Sequence, residues 1–459
     1  MRKPTRARPA LIVAALLFGT GSVAAQSAPA PSEAGLGFWQ RLGDTTLARL
    51  TAEALQANRE IQAAQARARQ ARAARSSAAL DLAPTITMAG GYTRQRIAAP
   101  TFGIAVPDRG LWDTELRASW ELDLFGRVRR NLRGRSSLAA SAHEEVRDAG
   151  RIITAELAVA YFDLRGAQDQ LDVATQNAEN QRRSLQLTRD RLAAGRGSAF
   201  DTERAQAQVS TTLASIPVFE SRIASAQHRI GVLLGREPGS LAPELAYRCA
   251  DEPEALCSLP PLPDDPVPAP LDSIILTRPD VLAAERRLAA ETAFVGAAKA
   301  EYLPRLSVGG TAGFTATELD RVGNSGSGRY TVGPMITWAA FNLGRVKAGV
   351  DAARALEAEA RAQHEQTLLL AREELRTALV SYAKARERLT QLAEAAAASG
   401  RAAELARIRF QGGVADFLQV LDAERSLLAA QDQLARGRTD AVTALVAVYR
   451  ATGGATGPG

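Results

Sequence analysis

No part of the 459-residue chain is apolar for long enough to form a spanning helix, because its longest such run, Ala10 to Phe18, falls far short of the roughly 20 residues a bilayer requires. That run follows Arg2, Lys3, Arg6 and Arg8 and precedes the small residues Ser22, Val23, Ala24 and Ala25. It is expected to be a secretory signal cut after Ala25. Cysteine is almost absent. Cys249 and Cys257 are the only two, and neither is near the expected cut, so acylation at an N-terminal Cys is not expected. In an oxidising compartment the pair can close a small loop in a Pro-rich stretch or remain two thiols. Histidine is scarce as well: His143, His228 and His364 stand singly, no Gly-rich phosphate loop follows a strand, and Cys249 has no base nearby. Neither an enzyme nor a cofactor or metal site is expected from such a set. The leader accounts for four of the +6 net charges and leaves about +2, with Arg interleaved among Glu and Asp, which removes the case for nucleic acid.

What the chain does have is an internal repeat. Asn58-Arg59-Glu60-Ile61 corresponds to Arg278-Pro279-Asp280-Val281, and Pro84 to Pro304, at a shift of 220. Beyond the next loop the shift is 218, matching Trp120 with Trp338, Gly126-Arg127-Val128-Arg129 with Gly344-Arg345-Val346-Lys347, and Gly195 with Gly413. A two-residue change at a loop is what a hairpin tip tolerates.

Each half reads as helix, strand, loop, strand, very long helix, tight turn, helix. Leu116, Ala118, Trp120, Leu122 and Leu124 alternate with Arg117, Ser119, Glu121 and Asp123, the period of a strand with one apolar face. Its partner carries Ile86, Met88, Gly90 and Tyr92 on one face. In the second half Leu306, Val308, Gly310, Ala312 and Phe314, then Val332, Ile336, Trp338 and Ala340, repeat the pattern. From Gly126 to Gly195 and from Gly344 to Gly412 there is no Pro, which predicts two helices on the order of 100 Å long. Leu171, Ala178, Leu185 and Leu192, and likewise Leu389, Ala396, Ala403 and Phe410, fall at heptad spacing and predict close coiled-coil packing. The expected segments are a signal peptide over 1–25, an N-terminal segment with the first helix over 26–83, a hairpin over 84–125 and a helical hairpin over 126–235. A Pro-rich linker over 236–277 follows, then a helix over 278–303, a hairpin over 304–343, a helical hairpin over 344–450 and a tail over 451–459.

Four amphipathic strands leave unpaired edges that lipid cannot satisfy, so the barrel must be shared among copies. Two copies give about eight strands and a filled interior, whereas three give about twelve and leave a lumen. The expected fold is mostly α with a transmembrane β part, trimerising into a 12-stranded barrel continued by an α-helical barrel. Apolar strand faces with Trp and Tyr would meet lipid, and Thr, Ser, Arg, Glu and Asp would line the lumen.

The segment Trp120-Glu121-Leu122-Asp123-Leu124-Phe125-Gly126-Arg127-Val128-Arg129 resembles the strand-to-helix signature of the outer membrane efflux protein family, the TolC-like factors, in the branch serving resistance-nodulation-division pumps. Leu303-Pro304, Arg278-Pro279-Asp280-Val281 and Val420-Leu421-Asp422-Ala423 are similar to further signatures, and the likeness runs from about residue 40 to 450. The resemblance implies a homotrimer in the outer membrane that reaches into the periplasm, with an equatorial belt and a closed tip opened by an adaptor protein and an inner-membrane pump. Many members of this branch are acylated at an N-terminal Cys that this chain lacks. Trp120, Asp123, Gly126, Trp338 and Gly344 carry the signature. The helical turns at Gly195, Arg196, Gly413 and Val414 take the adaptor-docking role by resemblance, or are turn residues alone. Leu418 and Asp422, four apart on one helix face, would form an apolar and an acidic ring at the aperture, where threefold carboxylates favour cations. Gln419 stands where the family has another aspartate. Asp201 falls on a latch carboxylate with Arg409 or Phe410 as partner, or is a carboxylate favoured by a helix N-terminus. The functional expectation is the outer membrane duct of a tripartite drug or metal efflux pump. An outlet for type I protein secretion, or a periplasmic structural coiled coil without a channel, remain the alternatives.

Overall fold

The computed structural model of the protein describes residues 39, 44–96, 108–246, 260, 262–267 and 270–454. The expected signal peptide, residues 97–107 of the first expected hairpin, both cysteines, part of the linker and the last five residues lie outside them. The elements run α1 (Thr45–Ala57), α2 (Arg59–Leu80), β1 (Thr85–Gln95), β2 (Arg109–Leu122), α3 (Arg127–Ala193) and α4 (Ala199–Leu233). The second half gives α5 (Leu271–Thr277), α6 (Pro279–Ala300), β3 (Arg305–Ala316), β4 (Gly328–Thr337), α7 (Leu343–Gln411) and α8 (Phe417–Ala451). Among the described residues no helix is long and apolar enough to cross a membrane.

The opening helix of each half is broken once, a feature the sequence pattern did not predict. Asn58 and Arg278 are the break residues, both extended, with ψ of 132° and 136°. The causes differ. Pro279 disfavours helical geometry at the residue before it, whereas the Asn58 side chain caps α2 by accepting from the N–H groups of Glu60 and Ile61. Each break residue then donates to the last turn of its own half's return helix, Asn58 Nδ2 to the Leu233 carbonyl (2.9 Å) and Arg278 Nη1 to the Ala451 carbonyl (2.7 Å).

The four strands form one antiparallel sheet in the order β1-β2-β3-β4. One face is polar: Arg329 donates to Glu115 (2.9 Å) and to Thr315 (2.8 Å), and Thr311 and Thr331 bond across β3 and β4 (2.9 Å). The other is apolar, with the Tyr92 and Trp112 rings 4.8 Å apart and Met88, Tyr330, Val332 and Ile336 exposed. Leu124, Trp338 and Ala340 lie just outside the strands, because the chain turns after Leu122 and Thr337 to enter the long helices. Trp120 and Trp338 still act alike, donating from Nε1 to the Leu82 carbonyl (2.9 Å) and the Tyr302 carbonyl (3.0 Å).

The strand-to-helix junctions correct the expected equivalence of Gly126 and Gly344. Gly126 adopts a left-handed φ of 75° before α3, and Asp123 caps that helix by accepting from Val128 (3.0 Å) and Arg129 (2.9 Å). In the second half Phe341, fully exposed, occupies the position of Asp123, and Gly344 lies within the first turn of α7 without a positive φ.

The helices α3 and α7 have 67 and 69 residues, so each extends about 100 Å. Helix α3 packs against α2 and α4 of its own half and against α6 and α8 of the other, while α7 packs along its length against α6 and α8. Close approach explains two glycines: a Cβ at Gly134 would meet the Phe294 ring at 2.3 Å, and one at Gly166 would meet Thr439 Oγ1 at 2.1 Å. Of the heptad residues, Ala178, Leu185, Ala396, Ala403 and Phe410 are buried, whereas Leu192 is exposed.

Midway along the helices lies the main core, with Trp39, Leu157, Phe162, Leu234, Leu375 and Tyr449, and beside it a buried ion network. The Arg278 guanidinium bonds Asp280 through Nε (3.0 Å) and Nη2 (2.7 Å) and Glu374 through Nη2 (2.8 Å). Arg450 donates to the second Glu374 oxygen (2.8 Å), and Arg151 bonds Asp148 and the Arg450 carbonyl. Burial pushes the Asp280 and Glu374 carboxyls up, but the Arg278 bonds outweigh it and hold both below the usual carboxylate range. Asp148 moves the other way, because its burial outweighs Arg151. Carboxylates lowered in the folded state contribute stability above their unfolded pKa and lose it as pH falls through the folded one. Chemical denaturation should therefore show stability dropping as pH goes from about 5 to about 3, with a shallower slope in Asp280→Asn.

Candidate channel aperture at the helical tip

Both long helices end in the same reversal. At the end of α3, Gly195 takes a φ of 68° and the N–H groups of Gly195 and Arg196 bond back to Leu192 and Arg191; at the end of α7, Gly413 takes 73° and Gly413 and Val414 bond back to Phe410 and Arg409. This is the Schellman arrangement, which needs the left-handed residue that glycine supplies. Gly412 has an ordinary right-handed backbone, and Gly197 is needed for space, since a Cβ there would lie 2.8 Å from the Leu192 nitrogen. Ser198 then caps α4 and Asp416 caps α8, their side chains accepting from Phe200 (3.1 Å) and Gln419 (3.2 Å).

A small core of Leu185, Ala205, Val209, Phe410, Phe417, Val420 and Leu421 ties the two reversals together. Arg191 lies over the Phe410 ring at 3.9 Å and donates to the Phe410 carbonyl at 2.8 Å, placing a cation on the carbonyl end of α7. Glu424, buried in α8, accepts from Ser184 Oγ (2.7 Å) and Arg407 (3.3 Å). On the opposite face of α8, Leu418 and Asp422 are both exposed, and among the described residues Asp422 has no hydrogen-bond or ion-pair partner.

The family model described as "Outer membrane efflux protein" matches residues 50–236 and 271–454. The chain belongs to the outer membrane efflux protein family. Among curated relatives, it is 30% identical over 414 residues to the toluene efflux pump outer membrane protein TtgF of Pseudomonas putida, covering 90% of this chain and 84% of that one. It is 31% identical over 465 residues to outer membrane protein OprJ of Pseudomonas aeruginosa, covering 98% and 92%. Among solved structures, the outer-membrane channel OprN superposes with a TM-score of 0.83 at 38% identity, over 93% of this chain and 95% of that one. The fold is that of the TolC-like trimeric outer membrane channels, and the protein is an outer membrane efflux channel that extends into the periplasm.

Within one copy of this efflux channel, Asp201 is half-buried in the first turn of α4, and no ion pair joins it to Arg409. Arg409 is exposed and has no ion-pair partner among the described residues, while Phe410 belongs to the tip core under Arg191 and packs 5.5 Å from Phe417. Gly195, Arg196, Gly413 and Val414 are all exposed at the reversals. Arg191, Glu424 and Ser184 were not singled out by motif. The repeat held the signal for the first, since Arg191 is the counterpart of Arg409 at the shift of 218.

Proposed function

We propose that three copies of this channel close a barrel of twelve strands in outer membrane lipid and one helical tunnel, a passive duct for small organic molecules. The observation that carries the reading is a four-stranded sheet with open edges at β1 and β4, joined directly to helices about 100 Å long. Leu418 and Asp422 then form rings at the aperture, the first a dry constriction and the second a concentrated negative potential. The reversals at Gly195, Arg196, Gly413 and Val414 dock a periplasmic adaptor, through which an inner-membrane pump of the resistance-nodulation-division type drives export. The duct has no energy source of its own. The name of TtgF, a toluene efflux pump component, favours apolar solvents and drugs as cargo. Deleting the gene should sensitise the bacterium to aromatic solvents or hydrophobic antibiotics, with tolerance restored by the intact gene. Unchanged tolerance to every compound class, in a strain lacking other such channels, would contradict the reading.

A further inference from the structure

The two halves of the chain differ in charge where their helices meet the sheet. From residue 61 to 80 in α2 and from 126 to 143 at the start of α3 there is no Asp or Glu, while Arg69, Arg72, Arg129, Arg130 and Arg133 all fall in these stretches. At the shifts of 220 and 218 their counterparts are Ala289, Thr292, Lys347, Ala348 and Asp351. The second half thus sets one cation against one anion, and Lys347 Nζ bonds Asp351 at 2.9 Å. In the first half Arg129 pairs with Asp123 (3.0 Å), Arg130 donates to the Phe125 and Gly296 carbonyls (2.8 and 3.3 Å), and Arg133 is exposed. Carbonyls satisfy the donors of Arg130 without cancelling its charge. The apolar rim beside these arginines differs as well. Leu80 and Leu124 are exposed where the second half has Ala300 and Asn342.

The arginines share one side of the helical layer. Arg75 Nε donates to Ser136 Oγ (3.2 Å), which sets the row Arg69, Arg72 and Arg75 of α2 beside the row Arg129, Arg133 and Ser136 of α3. Arg127 projects from the far side of α3 and bonds Glu121, on the polar strand face that would line the lumen. The arginine rows therefore face away from the lumen. Along the helix axes Arg133 lies about 9 Å and Arg72 about 12 Å from the ends that join the sheet, with Arg129 and Arg130 closer. Lipid headgroups fill roughly 5 to 8 Å beyond the hydrocarbon, and a charge is felt over about 8 Å more at physiological salt. We propose that this face binds the phosphate groups of anionic glycerophospholipids in the periplasmic leaflet of the outer membrane, with Leu80, Leu124 and Phe125 at the acyl boundary. The proposal rests on the reading that the apolar sheet face meets lipid, and it adds the headgroup class. A guanidinium fork matches two phosphate oxygens at once. A choline headgroup would bring its own cation against the same arginines, which favours lipids of net negative charge.

Lipid retention tests this. The full-length protein is equilibrated in mixed micelles holding equal amounts of phosphatidylglycerol and phosphatidylcholine of the same chain length, repurified, and its bound lipid measured by mass spectrometry. The unmodified protein should retain phosphatidylglycerol several-fold over phosphatidylcholine, and the ratio should shrink as salt is raised. Arg69→Gln, Arg72→Gln and Arg133→Gln together should bring the ratio near one, whereas Lys at the same three positions should keep most of it. Lys347→Gln, in the second half, should leave it unchanged. A ratio near one for the unmodified protein overturns the proposal without any variant. An unchanged ratio in the glutamine variant overturns it too, and if that variant instead loses binding to purified peptidoglycan, the face belongs to the cell wall. Conductance of the same samples keeps the two readings apart. A conducting protein without headgroup preference overturns only the lipid face, and a non-conducting one that keeps the preference overturns only the duct.

Discussion

Replacing Arg278 with Met should cost the folded protein about 3 kcal/mol or more, seen as a lower denaturation midpoint. The guanidinium is buried, bonds two carboxylates and caps the Ala451 carbonyl, so its removal strands charge and an acceptor together. Arg450 still neutralises one side of Glu374, and Arg151 lies 3.7 Å from Asp280, which keeps the loss near the lower end of the range for a broken buried pair. Arg278→Lys should recover only part, because one ammonium cannot reproduce the planar fork that grips Asp280 through two nitrogens. The double variant Arg278→Met with Asp280→Leu should be more stable than Arg278→Met alone, since the stranded charge is gone. A midpoint shift of a few tenths of a kcal/mol for Arg278→Met would mean that the network does not hold the broken helices together.

The second large effect is expected at Asp422. Its carboxylate is exposed, faces away from the tip core and has no partner among the described residues. If three such groups ring a narrow opening as proposed, each contributes about 0.5 kcal/mol at roughly 8 Å in water, about 1.5 kcal/mol together, to the same passing ion. Asp422→Ala should therefore lower the preference of the pore for cations over anions on the order of tenfold. Glu424, two residues on, should not substitute for it, because it is buried against Ser184 and Arg407. Unaltered selectivity would place the aperture elsewhere.

Much of the architecture was legible in the chain because it depends on period and length. The alternation about Leu116, Ala118 and Trp120 fixed the strand faces, and the Pro-free runs after Gly126 and Gly344 fixed the long helices. The breaks at Asn58 and Arg278 were not legible as one feature, since an amide and a guanidinium perform the same capping task by different chemistry. Matching letters misled at Gly126 and Gly344, because the junction geometry is set by Asp123 in one half and lost with Phe341 in the other. At the tip, spacing placed Leu418 and Asp422 on one face, but the part played by Arg191 depends on a ring and two carbonyls 219 and 220 residues away. No local pattern encodes that contact.

Three copies of this chain are proposed to build a duct that narrows at the helical tip, and the most direct measurement of it is the conductance of the purified protein in planar lipid bilayers. Small, cation-preferring openings are expected from the unmodified protein and larger, less selective ones from Asp422→Ala. Absence of any pore, in both proteins and with both in trimeric form, would contradict it.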